Sequence, residues 1–248
     1  MRVLLLGGTT EASQLAETLY HAGIDSVFSY AGRTEHPVSQ PVPTRVGGFG
    51  GLNGLGIYLV DNNITHVVDA THPFAAQMSQ NAFDACSALA IPITRLERCA
   101  WQAQPGDHWT HVPSIQTAVA ALPDAPTRVF LAIGRQNLSA FNAKRQHHYL
   151  LRLVDQPMQA VPLPHTTVVI ARGPFTTNND ADLMKSHAIT HVVAKNAGGA
   201  GAKAKLSAAR RLVLPVIMID RPELPITHIS PDTETVLRWL GHDALRGV

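Results

Sequence analysis

The sequence predicts an α/β fold in which doubly wound parallel sheets are covered by helices on both faces. Three observations carry this. Short β-branched apolar runs alternate with amphipathic or small-residue stretches along the 248 residues. The strand-like runs are almost continuously apolar, the pattern of strands buried on both sides. The length suits two domains of about 100–150 residues each. With 45% hydrophobic and 15% charged residues, the chain has enough apolar material for a core and is far from disordered compositions.

The first half reads as strand Val3–Leu6, helix Glu11–His21, strand Val27–Tyr30, helix Gly54–Asn62 and strand His66–Asp69. Helix Ala75–Ala90 follows, with Pro73 suited to start it, and then strand Ile93–Leu96. The stretches 102–107 and 122–126, rich in Pro and Gly, break the pattern on either side of helix Ile115–Leu122. A boundary near residue 125 gives domains 1–125 and 126–248; one sheet of about nine strands is the alternative. The second half offers strands Val129–Ile133, His148–Leu153, Thr167–Ala171, His191–Ala194 and Val216–Ile219. Its helices are Asp180–His187, Ala202–Leu212 and Thr233–Gly241. No period of 20–50 residues repeats, which excludes a solenoid.

Twenty Lys and Arg against 18 Asp and Glu leave a net charge of +2. No basic cluster stands out beyond Lys203, Lys205, Arg210 and Arg211, so a nucleic-acid binder is not expected. Pockets that hold an anionic small molecule are still compatible with this balance. No apolar run reaches the roughly 18–20 residues of a membrane span, and Gly7-Gly8 ends the opening run too early for a secretion signal. Cys86 and Cys99 build neither a disulfide framework nor a zinc site, and the 13 histidines show no His-Glu-x-x-His pair. A cytoplasmic protein without metal is expected.

The strongest local signal is Gly7-Gly8-Thr9-Thr10-Glu11-Ala12, where a strand passes through two glycines and two hydroxyl residues into a helix. Glycines let backbone N–H groups approach a pyrophosphate, and the helix N-terminus adds partial positive charge. The run lacks the full Gly-x-Gly-x-x-Gly pattern, so a plain tight turn is the alternative. NAD sites usually carry an acid at the end of the second strand. Asp25 precedes that strand and stands at its wrong end, whereas Ala31-Gly32-Arg33-Thr34 follows it. Arg33 suits a ribose 2′-phosphate through paired hydrogen bonds, with Thr34 beside it, which favours NADPH over NADH; an exposed loop arginine is the bland reading. Gly47-Gly48-Phe49-Gly50-Gly51 reads either as a cover for the dinucleotide or as a loose surface turn.

These motifs occur in one order with Asp69-Ala70-Thr71-His72-Pro73-Phe74, Arg95-Leu96-Glu97-Arg98, Trp101, Ile133-Gly134-Arg135-Gln136, Arg152, Ala171-Arg172-Gly173-Pro174-Phe175 and Ala194-Lys195-Asn196-Ala197-Gly198-Gly199. The ordered set, from Val3 to about Pro222, resembles the precorrin-6A reductase family of cobalamin biosynthesis, which includes the cobalt-precorrin-6A reductases. The resemblance implies two Rossmann-like domains with a cleft between them for a tetrapyrrole. The implied reaction is NADPH-dependent reduction of one macrocycle double bond to give precorrin-6B. It implies that Gly8, Thr9, Glu11 and Ala12 shape the pyrophosphate site, that Arg33 and Thr34 meet the adenosine ribose phosphate, and that Thr71, His72 and Phe74 lie on the nicotinamide side. Ala197 departs from the family pattern, where a serine or other small polar residue is expected.

The substrate carries acetate and propionate arms, so cations are wanted. Arg135, Arg152, Arg172 and Lys195 fall at or just beyond expected strand ends. Each has a bland alternative: Arg152 paired with Asp155, Arg172 anchoring the Gly173-Pro174 turn, Lys195 snorkelling from the sheet. Lys195 or His72 can supply the proton that follows the hydride, as can solvent. A short-chain-type reductase is disfavoured because no Tyr has a Lys four residues on. A P-loop kinase fails because Gly198–Lys203 lacks the Gly-Lys-Ser/Thr ending. A non-catalytic dinucleotide sensor is the remaining alternative, and a monomer fits two packed halves.

Overall fold

The structure, a computed structural model, describes residues 1–32, 37–157, 159–225 and 228–246. The chain divides into two compact units, Met1–Cys99 with Pro222–Val248, and Ala100–Arg221. The first contains β1 (Arg2–Leu6), α1 (Thr10–His21), β2 (Asp25–Tyr30), β3 (Thr44–Val46), α2 (Gly51–Asp61), β4 (His66–Asp69), α3 (Ala76–Ala88) and β5 (Ile93–Leu96). The second contains β6 (His108–Val112), α4 (Ile115–Ala120), β7 (Arg128–Ala132), a 3-10 segment Arg135–Lys144, β8 (His148–Leu153), β9 (Thr166–Ile170), α5 (Thr177–Ser186), β10 (His191–Lys195), α6 (Ala204–Arg211) and β11 (Pro215–Ile219). The first unit is completed by β12 (Ile229–Ser230) and α7 (Thr233–Arg246).

Each unit holds a six-stranded sheet, in the orders β12-β5-β4-β1-β2-β3 and β6-β11-β10-β7-β8-β9. Every strand pair in both sheets is parallel. The apolar runs are continuous because both faces are covered. Along β1, Val3 and Leu5 pack with Leu15 and Leu19 of α1 and with Val236 and Leu240 of α7. Leu4 and Leu6 pack with Leu55 and Leu59 of α2 and with Ala82 and Ala85 of α3. In the second unit Phe130, Leu150, Val192 and Met218 meet Met184 of α5 and Leu206 of α6. Tyr149 is buried on β8, its ring edge-on to Phe141 of the 3-10 segment, and its hydroxyl donates to the Lys144 carbonyl at 2.8 Å.

Two expectations are corrected. The boundary near residue 125 falls between α4 and β7, inside the second unit. The Pro-rich stretch there is a turn between elements of one sheet, because β6 already pairs with β11 from His108↔Pro215 to Val112↔Ile219. The chain leaves the first unit after Cys99 and returns at Pro222, and β12 adds to β5 through Ile229↔Arg95 and Ser230↔Leu96. The domains are therefore not 1–125 and 126–248, and there are two sheets instead of one of nine strands. The structure also adds β3, β6 and β12, all at sheet edges, and α2 starts three residues earlier than expected, at Gly51. Among the described residues no helix is long and apolar enough to cross a membrane.

Three histidines lie near the amino ends of β7, β8 and β10. His147 is fully buried, with Nδ1 accepting from the Thr127 N–H at 3.2 Å; His148 Nε2 is 2.9 Å from Thr167 Oγ1, and His191 Nδ1 is 3.0 Å from Thr190 Oγ1. Burial holds all three below the ordinary histidine value. Lys144 and His191 push His147 further down against Asp124, and Arg128, His165 and His187 do the same to His148. The fold keeps these rings neutral while the unfolded chain takes up protons below about pH 6.5. Their contribution to stability is thus complete above that pH and is lost as pH falls toward the depressed native values. The urea midpoint is expected to drop between about pH 7.5 and pH 5.5, and His147→Gln should make that drop shallower. A midpoint independent of pH over this range would contradict the assignment.

Candidate active site

In the first sheet, successive strands run outward from β1 through β2 to β3, then resume on the other side with β4 and β5. The carboxyl ends of β1 and β4 therefore form the switch point at which open α/β sheets bind ligands. Gly7 follows β1, and its N–H donates to the Ser29 carbonyl at 3.0 Å. A Cβ there would lie 2.0 Å from the buried Phe28 ring, so only glycine lets the loop pass over β2. Gly8 is exposed with φ 116°, open around its Cα. Thr9 is the N-cap of α1. Its Oγ1 accepts from the Ala12 N–H at 3.1 Å and donates to the Ala70 carbonyl at 2.9 Å, which ties the β1 loop to the β4 loop. Thr10 is exposed at the first helical position, Ala12 is buried, and Glu11 pairs with Arg98.

At the ends of β2 and β3, Gly32 is exposed in the left-handed region, and the Gly47 N–H donates to the Tyr30 carbonyl at 2.9 Å. Arg33 and Thr34 lie outside the described residues. The glycine run is neither loose nor unsupported. Arg45 Nη1 donates to Ser29 Oγ at 2.8 Å and to the Gly47 carbonyl at 2.9 Å, Nη2 donates to the Gly48 carbonyl at 3.1 Å, and the guanidinium stacks on Phe49 at 3.8 Å. Asp25 sits at the amino end of β2, 3.5 Å from Arg2, away from the switch point as the sequence indicated.

The loop after β4 is organised from beneath. Asp69 is fully buried; Oδ1 accepts from the Thr71 N–H at 3.0 Å and from the Thr71 hydroxyl at 2.6 Å. Arg95, its register partner on β5 and 1% exposed, bonds Asp69 through Nη1 and Glu97 through Nε, and reaches Ser79 Oγ at 2.7 Å. His72 is exposed, and its Nδ1 accepts from the Phe74 N–H at 3.2 Å. Phe74 is half-buried, with the two rings 5.9 Å apart.

The second sheet has its own switch point between β7 and β10. Gly134, with φ 77°, leads from β7 to the exposed Arg135, and half-buried Lys195 ends β10. Of these two expected cations, Lys195 is the last residue of β10 and Arg135 lies three residues beyond the end of the adjacent β7. Arg152 does not pair with Asp155: it bonds buried Asp180 on α5 and stacks on the Phe175 ring at 3.5 Å. Asp155 instead faces the exposed Arg172 at 3.6 Å. The loop beyond Lys195 is gripped from two sides. Buried Asn196 accepts from the Trp101 N–H at 2.8 Å and donates to its carbonyl at 3.1 Å, and the Trp101 indole donates to the Gly199 carbonyl at 2.8 Å. Arg221 donates to the carbonyls of Asn196, at 2.9 Å, and Ala197, at 3.1 Å. Ala197 takes part through its backbone alone in these bonds. Among the described residues no group of three or more His, Cys, Asp or Glu is placed to hold a metal.

Sequence reasoning did not assign the Arg45 clamp, the Asp69–Arg95 pair or the Trp101–Asn196 bond. The residues stood within the quoted motifs, but their partners are 16 to 95 positions away in sequence for Arg45–Ser29, Arg95–Asp69 and Trp101–Asn196.

Two doubly wound parallel sheets, the first with a glycine–threonine loop and a capped helix at its switch point, define a Rossmann-class α/β protein. Within that class the family is specific. The family model for precorrin-6x reductase CbiJ/CobK matches residues 2–241, and the chain belongs to this family. It is 61% identical to the precorrin-6A reductase of Rhodobacter capsulatus over 249 residues, covering 100% of this chain and 99% of that one. It is 44% identical to the precorrin-6A reductase of Rhodococcus erythropolis, covering 97% of each, and 30% identical to the cobalt-precorrin-6A reductase of Priestia megaterium, covering 96% and 97%. The solved structure of CobK precorrin-6A reductase superposes with a TM-score of 0.93 at 61% identity, over 98% of this chain and 96% of that one.

Arg95→Met would leave Asp69 charged, buried and without its cation. Breaking a buried pair in this way is expected to cost about 3–5 kcal/mol, read as a lower midpoint in urea unfolding. A midpoint equal to wild type would show that the pair does not hold the loop.

Proposed function

We propose that the protein catalyses the NADPH-dependent reduction of one double bond in precorrin-6A, giving precorrin-6B in cobalamin biosynthesis. The observation that carries the reading is the full-length 61% identity to a protein named precorrin-6A reductase. The switch-point geometry supports the cofactor class: Gly7 and Gly8 leave the loop without side chains, and the first turn of α1 offers backbone N–H groups and the exposed Thr10 hydroxyl to a pyrophosphate, while Thr9 braces the loop.

In this proposal Gly7, Gly8, Thr9, Thr10, Glu11 and Ala12 form the phosphate loop, while Gly32, Arg33 and Thr34 take the adenosine end. Gly48, held by Arg45, borders the ribose. Thr71, fixed on Asp69, and Phe74 bound the nicotinamide. NADPH supplies the hydride when bound. The chain's own residues orient the reactants and hold charge and protons. Arg135, Arg172 and Lys195 pair with carboxylate arms of the macrocycle, and Arg152 shapes the same edge through Phe175. Lys195 Nζ and His72 are the proposed proton sources. The same reading makes the protein a cytoplasmic monomer that needs no metal, nucleic acid or membrane.

Anaerobic turnover with precorrin-6A, followed by loss of reduced-nicotinamide absorbance with NADPH and NADH side by side, tests this directly. Binding of NADPH without oxidation on either the cobalt-free or the cobalt-containing substrate would replace the reductase with a dinucleotide sensor. Arg33→Ala is expected to weaken NADPH about tenfold, roughly 1.4 kcal/mol, and to leave NADH unchanged. Lys195→Ala should reduce turnover or substrate affinity with NADPH affinity intact. Equal losses on both cofactors in the first case, or a wild-type rate in the second, would remove those assignments.

A further inference from the structure

Glu11 sits in the first turn of α1, the turn proposed to receive the cofactor phosphates. A carboxylate in a first turn stabilises the helix, but it also competes with a phosphate for the same positive end. In this structure the Glu11 carboxylate is engaged by the Arg98 guanidinium, which comes from the segment after β5, two strands away from β1. Both side chains keep some solvent contact, 26% for Glu11 and 19% for Arg98. They border a narrow recess at the carboxyl edge together with Thr9, Thr71, Leu96 and Glu97. The backbone that carries Arg98 is fixed just before it, where the Glu97 N–H donates to the Ser230 carbonyl at 3.0 Å.

We propose that Arg98 is a positioning residue for the nucleotide phosphates: it neutralises Glu11 so that the first turn of α1 keeps its affinity for an anion. The charge around the recess explains why this matters. Glu97 and Glu11 line the recess, and Arg95 bonds Glu97 together with the buried Asp69, one positive charge against two negative ones. Arg98 is the cation bonded to Glu11. Without it, an uncompensated carboxylate stands within one helical turn of the proposed pyrophosphate, at a partly desolvated edge where screening is weaker than in water.

The inference rests on the phosphate-loop reading of the proposed function, and a charge-rescue series separates the two. NADPH affinity is measured by titration for wild type, Arg98→Met, Arg98→Lys, Glu11→Gln and the double variant Arg98→Met/Glu11→Gln. Arg98→Met is expected to weaken NADPH about tenfold at low salt, an amount in the range of a charge at a helix terminus, and the loss should shrink at high salt. Arg98→Lys and the double variant should both recover most of the affinity, and Glu11→Gln alone should bind NADPH more tightly than wild type, because Arg98 then stands beside the phosphates without its carboxylate. The effect should fall on the KM for NADPH with kcat at saturating cofactor little changed. A double variant as weak as Arg98→Met would assign the loss to packing and overturn the proposal. So would wild-type affinity in Arg98→Met, or a sharp loss in Glu11→Gln. Wild-type protein that binds no NADPH would overturn the phosphate-loop reading and this assignment with it.

Discussion

The buried ion pair between Asp69 and Arg95 is the constraint on which the carboxyl edge of the first unit's sheet depends. Taking two charges out of water costs several kcal/mol per ion, and an apolar pair of similar volume is often the more stable choice. Stability alone therefore does not account for it. The sheet places it, because the two residues are register partners at the ends of adjacent strands. Their remaining valences reach outward: Asp69 fixes Thr71 through two hydrogen bonds, and Arg95 adds Ser79 on α3 and Glu97 beyond β5. One buried pair thus sets the position of two strand-end loops and a helix. One atom, Arg95 Nη2, is buried without a partner, so the network is not fully satisfied even here.

The two units share an architecture and differ in what their edges offer. At the first switch point a helix starts directly after the glycine loop, capped by Thr9, so its backbone dipoles put partial positive charge at the carboxyl edge of the sheet. After β10 the chain takes a longer path: Lys195 to Gly199 form a turn held by Trp101 and Arg221, and α6 begins only at Ala204 without a side-chain cap. The Trp101 that grips this turn is itself covered by the Lys205 ammonium, 4.9 Å from the ring centroid. An edge built on a helix terminus suits a phosphate. One built on a braced turn that starts from a lysine offers a side-chain cation instead.

What could be read from the sequence follows from range and burial. The central strands announced themselves because both of their faces are covered, which leaves the apolar run unbroken in β1, β4, β7 and β10. Three of the four edge strands carry no such run: β6 is His-Trp-Thr-His-Val and mostly exposed, β3 has three residues and β12 two. The start of α1 at the glycine–threonine run was legible because the signals that open a helix act within three residues. The domain boundary was not, since the same Pro and Gly signals that end a domain also end a helix. Nothing local tells that Ile229 will return to pair beside Arg95, 134 positions earlier.

The arginines show how this limit bears on the site. Arg45, Arg95 and Arg152 lie within strands, and each is bound to the fold: Arg45 on the glycine run, Arg95 on Asp69, Arg152 between Asp180 and Phe175. A side chain inside a strand meets the covering helix or the neighbouring loop, so its charge is drawn into an internal pair. Arg135 and Arg172 come after the last residues of β7 and β9, and both are exposed. Lys195 is the last residue of β10 and is half-buried, between these two conditions. In sequence all six look alike, as cations near apolar runs. A shift of three or four residues, from just inside a strand's end to just beyond it, separates a cation bound into the fold from one exposed at the edge.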